Sequence, residues 1–264
     1  MTEYFKYLLS QDRQQLKEQM NSARGEWSAC EAYASLDLLE SLLPQLVEPS
    51  YEHGPFKLIC DDFGLGNLIV KSCDDLTVIG VVDLEWSYAG PAQLFASAPW
   101  WLLCDRPVNE RWDYSGAEPP EFTGKYIRFL DLFISVLKEE EAKMDKKELS
   151  PLMEWSKTSG AMWLHMLLST GFLDALSFPN GKLRRHYGLR WWLDSRSPLE
   201  DREETKEFGR KKERELDRYD TQVDQIEELK ALMDRGELTA EDFVARVPSI
   251  LSQTDASDEK IDSE

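Results

Sequence analysis

The sequence has few residues that could bind zinc or cross-link the chain. It contains three histidines and four cysteines, and no two cysteines have the Cys-x-x-Cys spacing that is typical of zinc and redox sites. We therefore expect reduced thiols, as in a cytoplasmic protein. The four cysteines are Cys30, Cys60, Cys73 and Cys104.

Basic residues are also scarce, because 31 Lys and Arg stand against 50 Asp and Glu, for a formal charge of −19. A polyanion gains nothing from such a surface, so we expect no nucleic-acid partner. No apolar run approaches the ~20 residues that are needed to span a bilayer. Residues 1–10 have neither the basic start nor the apolar core of a signal peptide. The sequence thus predicts a globular cytoplasmic protein with no membrane partner.

Apolar residues recur at helical spacing through most of the chain. The predicted helices cover about 4–19, 30–47, 121–144 and 151–176. Trp191 and Trp192 are expected to close the core that these helices form. A further solvated helix is expected from about Leu199 to Asp234, where opposite charges often lie three or four residues apart.

The charge distribution suggests three parts. From Pro198 onward the chain holds 21 acidic and 11 basic residues, so about half of the net charge lies in its last quarter. We expect a core-forming domain over 1–197, a charged helical extension over 198–252 and a disordered acidic tail over 253–264. Within the extension, Thr239 is expected to cap a short helix together with Asp242. The extension is either a solvated appendage or a helix that pairs with a partner.

The periodicity changes after His53-Gly54-Pro55. Short, β-branched stretches follow at 56–59, 67–70 and 77–82, and the last two are separated by the polar turn 72–75. We expect one small hairpin-like element here. After Trp86 the prolines predict an irregular, partly buried connection rather than a helix.

Two loops in this segment carry oxygen ligands in a pattern that suits phosphoryl transfer. Asp62 and Asn67 are five residues apart between two strand-like stretches, and Asp83 follows a third stretch sixteen residues later. In phosphoryl transfer one carboxylate orients the attacking hydroxyl, while an amide and a second carboxylate hold magnesium. Magnesium prefers such hard oxygen ligands.

These residues resemble those of the aminoglycoside phosphotransferase and choline kinase-like family, especially its fungal members. The family's loop reads His-x-Asp-x-x-x-x-Asn, and a later strand ends in Ile-Asp-Trp-Glu. The corresponding residues here are Cys60, Asp62 and Asn67, followed by Val82-Asp83-Leu84-Glu85. The likeness extends with decreasing strength from about Phe56 to Leu103.

The resemblance implies a fold, an activity and roles for residues. The fold would be α+β: a mostly helical, protein-kinase-like C-terminal lobe in which a short β-hairpin element carries the catalytic and metal loops. Asp62 would be the catalytic aspartate, Asn67 and Asp83 would bind magnesium and ATP, and Glu85 would be a supporting carboxylate. The activity would be ATP-dependent transfer of a phosphoryl group to a hydroxyl of a small molecule.

The chain departs from the family pattern at two places. Cys60 replaces the loop histidine, which removes a hydrogen-bonding ring. The segment before Phe56 has helical periodicity and cannot form the small sheet whose lysine and covering loop hold the phosphates of ATP. We therefore expect a C-terminal lobe without its N-terminal lobe, with an apolar face that could drive self-association or the capture of a partner.

Other interpretations of the same residues stay open. The loop of Asp61 and Asp62 is also typical of an acidic surface turn, and the tryptophans could line an acceptor pocket or pack in a core. Two functions follow from the sequence. One is a small-molecule kinase, and the other is a catalytically inactive remnant of a kinase that binds a partner.

Overall fold

The computed structural model describes residues 1–103, 120–144, 147–169 and 177–252. It has an α+β fold that is mostly helical, as the sequence predicts, with two small antiparallel sheets. The described residues form two compact units. The first unit comprises residues 1–14 and 34–199, and the second comprises residues 15–33 and those from 200 onward.

Apolar helices form the core of the first unit. Leu36, Leu39 and Leu43 of the helix Glu26–Leu46 are buried at helical spacing, which is the pattern that predicts this helix from the sequence. Trp163 makes an edge contact with Phe178 at 5.7 Å between ring centroids. The helices with residues in this unit are α1 (Thr2–Glu18), α2 (Glu26–Leu46), α3 (Ala92–Phe95), α4 (Pro120–Lys143), α5 (Leu149–Ser159), α6 (Ala161–Leu168), α7 (Phe178–Tyr187) and α8 (Leu189–Glu200).

Two nested antiparallel pairs form the sheets. Strand β1 (Phe56–Cys60) pairs with β4 (Ser87–Pro91), and β2 (Leu68–Val70) pairs with β3 (Val78–Val81) in between. The break before β1 is a cis Gly54–Pro55 peptide. Short 3₁₀ turns cover Pro49–Tyr51, Leu65–Asn67 and Trp100–Leu103.

The expectation of an irregular chain directly after Trp86 is wrong, because Ser87–Pro91 is a strand. Pro91 is tolerated there since it is the last residue of β4, opposite Phe56, where the ladder ends. A single helix over 151–176 is wrong as well. Gly160 has φ +83°, a left-handed conformation that ends α5 and starts α6. Residues 170–176 of that prediction lie outside the described part.

The paired tryptophans separate in their roles. Trp192 is fully buried, as expected of a core residue, whereas Trp191 is 41% exposed and stacks on Tyr187 at 5.1 Å. Only one of the two therefore closes the core. Neighbouring residues of a helix point about 100° apart, so both could not face the same core.

The second unit contains the charged helix α9 (Glu203–Asp234) and α10 (Ala240–Leu251), together with the adjoining parts of α1 and α2. Half of the residues of helix α9 are exposed, but Lys212 is buried and its Nζ donates to Gln19 O at 2.5 Å and to Glu215 Oε2 at 2.6 Å. The predicted cap is present, because Thr239 Oγ1 accepts from the backbone N–H of Asp242 at 3.1 Å. The predicted acidic tail, 253–264, lies outside the described residues.

Within the described residues, no helix has both the length and the apolar character that crossing a membrane requires.

Candidate functional site

The loop after β1 carries Asp62 and Asn67. It turns tightly, because Phe63 N donates to Cys60 O at 3.2 Å and Asn67 N donates to Gly64 O at 3.1 Å. Trp100 covers the loop: its Nε1 donates to Asp61 O at 3.3 Å. The loop is therefore held before its short 3₁₀ turn, Leu65–Asn67, and across that turn.

A side-chain hydrogen bond joins the two predicted residues of this loop. Asn67 Nδ2 donates to the backbone oxygen of Asp62 at 3.3 Å. Because the amide nitrogen is used in this way, Oδ1 is the atom of Asn67 that can accept a hydrogen bond or bind a cation. Both side chains are partly exposed, so solvent and a ligand can reach them.

The third predicted residue, Asp83, lies directly beyond a bond that joins the two loops. Val82 N donates to Asn67 O at 3.0 Å, one step beyond the Leu68–Val81 pair of the β2–β3 sheet. Since hydrogen-bonded strand partners are ~5.5 Å apart and consecutive Cα atoms ~3.8 Å apart, the Cα atoms of Asp83 and Asn67 lie within about 10 Å.

The backbone of Asp83 has an unusual conformation. Its φ is +56°, and no other non-glycine residue in the described chain has a positive φ. This left-handed conformation is uncommon for residues other than glycine and costs free energy unless the surroundings stabilise it. Strained backbone of this kind is concentrated at functional sites. Asp83 is also exposed.

Two more backbone hydrogen bonds lie where the loops meet the ends of β1 and β4. Asp61 N donates to Trp86 O at 3.4 Å, and Ser87 N donates to Leu84 O at 3.0 Å in the turn that carries Glu85. Glu85 is exposed in that turn. Cys60, the last residue of β1, has its Sγ 3.0 Å from Ser87 Oγ.

The charges around the loops are mostly negative. Residues 56–91 contain six acidic residues and two lysines. Lys57 Nζ lies 3.7 Å from Glu148 Oε2, and Lys71 Nζ lies 2.9 Å from Asp75 Oδ2, so both lysines have carboxylate partners. The partly buried Tyr88 has its pKa raised by burial and by the negative charge of Asp61. This electrostatic environment suits a cation better than an anion.

The tryptophans near the loops fill different roles. Trp101 packs between Phe63 and Phe133, with centroid distances of 6.2 and 5.9 Å. Trp86, in contrast, is 65% exposed beside the loops. Of the three tryptophans near the loops, Trp86, Trp100 and Trp101, Trp86 alone is exposed, so a pocket walled by several tryptophans would have one open indole ring there.

A buried polar network holds β4 in place, and the sequence gives little warning of it. Gln93, two residues after β4, donates from Nε2 to Leu46 O at 2.8 Å and accepts at Oε1 from Glu48 N at 2.9 Å. Its remaining Nε2 proton points to His165 Nε2 at 3.0 Å. His165 must then carry its proton on Nδ1, where it donates to Ser97 Oγ at 3.0 Å.

This network explains why His165 is neutral. Burial lowers the pKa of His165 to about 3, and every polar atom of its ring has a partner. The contacts of His165 are those of a structural residue. The one sequence feature that hints at this network is a lone glutamine, Gln93, within the uncharged run 86–104.

The described residues contain no cluster of three His, Cys, Asp or Glu side chains arranged to hold a metal ion. Any metal site here would have to use the Asn67 amide beside carboxylates. The loops do bring Asp62 and Asn67 together and place Asp83 next to them.

No protein-family model matches the chain, and no curated protein or solved structure matches it. The resemblance of the two loops to the phosphotransferase family therefore stays a prediction.

Proposed function

We propose that the protein is an ATP-dependent phosphotransferase that acts on a hydroxyl group of a small molecule. The observation that carries this proposal is the junction of the two loops. Asn67 bonds to Asp62 through its side chain and to Val82 through its backbone, next to the strained Asp83. One residue thereby links a general base to a second carboxylate.

Each residue has a defined role in this proposal. The Asp62 carboxylate accepts the proton of the acceptor hydroxyl and orients its oxygen. Asn67 Oδ1 and the Asp83 carboxylate hold magnesium, whose preference for oxygen ligands fits this donor set. Magnesium, when bound, would neutralise charge on the phosphate oxygens of ATP. Glu85 adds negative charge beside Asp83.

The donor set fits magnesium better than it fits the phosphates of ATP. Lys57 and Lys71 are the only basic residues of 56–91, and each already has a carboxylate partner. Phosphoryl transfer depends on positioning the triphosphate and on stabilising its charge. We therefore expect the chain by itself to bind magnesium-nucleotide weakly and to turn it over slowly.

The second candidate function is a catalytically inactive binding module. It is favoured by the same pairing of the two lysines and by the large exposed apolar side chains around the loops, such as Leu58, Ile79 and Trp86. In this case the loops would be the remnant of a kinase site, and the exposed surface would carry the function.

Nucleotide turnover by the purified chain tests the two candidates against each other. The assay uses magnesium-ATP with a panel of amino-alcohols and aminoglycosides as acceptors. Asp62→Asn should lower any magnesium-dependent turnover by at least about 100-fold, the usual contribution of a general base. Asp61→Asn is the matched control, because it removes the neighbouring carboxylate but leaves the base in place.

The outcomes separate the proposals. Magnesium-dependent transfer that Asp62→Asn abolishes and Asp61→Asn preserves supports the phosphotransferase. No transfer, but magnesium binding that Asp83→Asn weakens, supports the inactive remnant. Equal effects of the two aspartate variants, or no magnesium binding at all, would contradict the assignment of this site.

A further inference from the structure

The exposed apolar side chains of the protein are concentrated around the two sheets. Eleven of the 22 large hydrophobic side chains that are exposed in the described residues lie between Phe56 and Trp86. The others are spread over the rest of the described chain, from Tyr7 to Leu251. The surface of a monomer normally shows such side chains singly rather than in one segment.

The pair β2–β3, residues 68–81 with their turn, is the centre of this surface, and we name it the ribbon. None of its seven strand residues is buried. Ile79 is 63% exposed, and Leu76 in the turn is 72% exposed. A two-stranded pair is marginally stable in water unless one face packs against something. Within the described residues, this ribbon has no such cover for its apolar side chains.

The backbone of the ribbon is open as well. Among the described strands, β3 pairs with β2 and with no other strand, so its outer edge is free for pairing. Natural edge strands are usually protected by lysine, proline or a bulge. Strand β3 reads Val78-Ile-Gly-Val81, without charge or proline, and the irregularity of the pair falls between Ile69 and Val70 on β2.

The exposed area is large enough for a dimer. With ~100 Å² for an aliphatic side chain and about 150–250 Å² for an aromatic one, the exposed fractions between Phe56 and Trp86 amount to on the order of 750 Å². Because neighbouring strand residues point to opposite faces, this total covers both faces of the sheets. It is close to the ~800 Å² that each partner contributes to a standard interface.

We propose that a second copy of this chain covers this surface, with the β3 edges of the two copies pairing antiparallel about a twofold axis. Antiparallel pairing of identical strands is self-complementary, so one twofold contact closes the dimer. Each copy brings the same uncharged edge and the same apolar side chains. The charge of −19 on each copy opposes association at long range, and salt should therefore strengthen the dimer by screening it.

Two lysine substitutions on equally exposed residues test this proposal. Ile79, on β3, and Leu132, on α4, are each 63% exposed. Ile79→Lys places a charge in the proposed interface, and Leu132→Lys makes the same change elsewhere in the same unit. Lysine lowers the net negative charge in both variants, so weaker association cannot result from greater repulsion between copies.

Sedimentation of the full chain measures the result at ~0.05 and ~0.5 M salt. The expected result is a dimer that tightens with salt, weakens at least about tenfold with Ile79→Lys and is unchanged by Leu132→Lys. Amide exchange in residues 78–81 should slow with rising protein concentration. Circular dichroism checks that both variants fold.

Three outcomes would overturn the proposal. The first is a monomer at all concentrations and at both salt levels. The second is a dimer that Ile79→Lys leaves intact or that the two variants weaken equally. The third is a dimer that salt weakens, which would indicate association through charged surfaces. A second copy is independent of phosphoryl transfer, so a failed turnover assay leaves this test unaffected.

Discussion

The two small sheets differ in how the rest of the protein holds them. The β1–β4 sheet is attached to helices through Gln93, which follows β4 and is fully buried, and through the partly buried Tyr88, whose side chain forms a hydrogen bond with Tyr4 of α1. The β2–β3 ribbon has no buried strand residue. Asp62 follows the anchored sheet directly, whereas Asn67 and Asp83 flank the ribbon. The proposed general base and the proposed metal ligands therefore depend on different supports.

The largest effect is expected from the anchor of β4. Gln93→Leu leaves Leu46 O, Glu48 N and His165 Nε2 without their partner in a buried region. Unfolding free energy should fall by about 3–5 kcal/mol, since each unsatisfied group costs ~1–3 kcal/mol. Urea unfolding measures this change.

Ser97→Ala is the control for the anchor. It removes only the partner of His165 Nδ1 and should cost about 1 kcal/mol. A loss for Gln93→Leu that is no larger than this would show that the network does not hold the β1–β4 sheet.

The same network predicts a pH dependence. His165 has a pKa of about 3 in the folded protein and ~6.5 when unfolded. The unfolded chain therefore takes up a proton first, so the stability that is present above pH ~6.5 is lost as the pH falls toward 3. Between pH 7 and pH 5 the loss attributable to His165 should be about 2 kcal/mol.

Comparison with His165→Gln isolates this contribution, because glutamine does not titrate. The difference in unfolding free energy between the two proteins should shrink by that amount from pH 7 to pH 5. A constant difference across this range would mean that His165 has the same pKa in the folded and the unfolded protein.

Two glycines sharpen the comparison of the sheets directly. A Cβ on Gly90 of β4 would lie 2.6 Å from Ile59 Cδ1 and 2.9 Å from Tyr88 Cε2, so Gly90→Ala should cost about 1–2 kcal/mol through overpacking. A Cβ on Gly80 of β3 would meet Ile69 at 3.5 Å, an ordinary contact. Gly80→Ala should therefore be neutral or slightly stabilising in thermal unfolding. Similar losses for both would contradict the difference in packing.

The smallest effect concerns the strained residue of the site. Asp83→Gly removes the cost of φ +56° and should raise stability by up to about 1 kcal/mol. It should also weaken magnesium binding, which calorimetry can follow. Asp83→Asn keeps a residue that tolerates this conformation and serves as the control. Loss of stability with Asp83→Gly would show that the carboxylate supports the fold rather than a ligand.

Helices were easier to predict than the sheets for a physical reason. The stripe of leucines in α2 and the cap at Thr239 are local signals, and both are found in the structure. The break at Gly160 depends on a positive φ. A glycine permits this conformation, but its presence in the sequence does not show that the conformation is adopted. Strand β4 forms by pairing with β1, and the ribbon lies between these two strands in the sequence. The local signal in β4, Gly90-Pro91, predicted a loop instead.

Part of the candidate site could also be predicted from the sequence. The spacing of Asp62, Asn67 and Asp83 predicted that they would share a loop region, and the backbone bonds bring these loops together. The cover from Trp100 and the anchor of Gln93 could not be predicted, because both are long-range contacts between residues that have no motif.

The nesting of the two strand pairs also sets an order of events in folding. Without the ribbon, β1 and β4 must close the whole loop that runs from Asp61 to Trp86. Once β2 and β3 have paired, only the segments 61–67 and 82–86 stay loose, which is less than half of that loop. Halving a loop lowers the entropic cost of closing it by about 0.6 kcal/mol. The ribbon closes a much shorter turn, held by Ser72 and Asp75. It should therefore form early and guide the pairing of the outer strands.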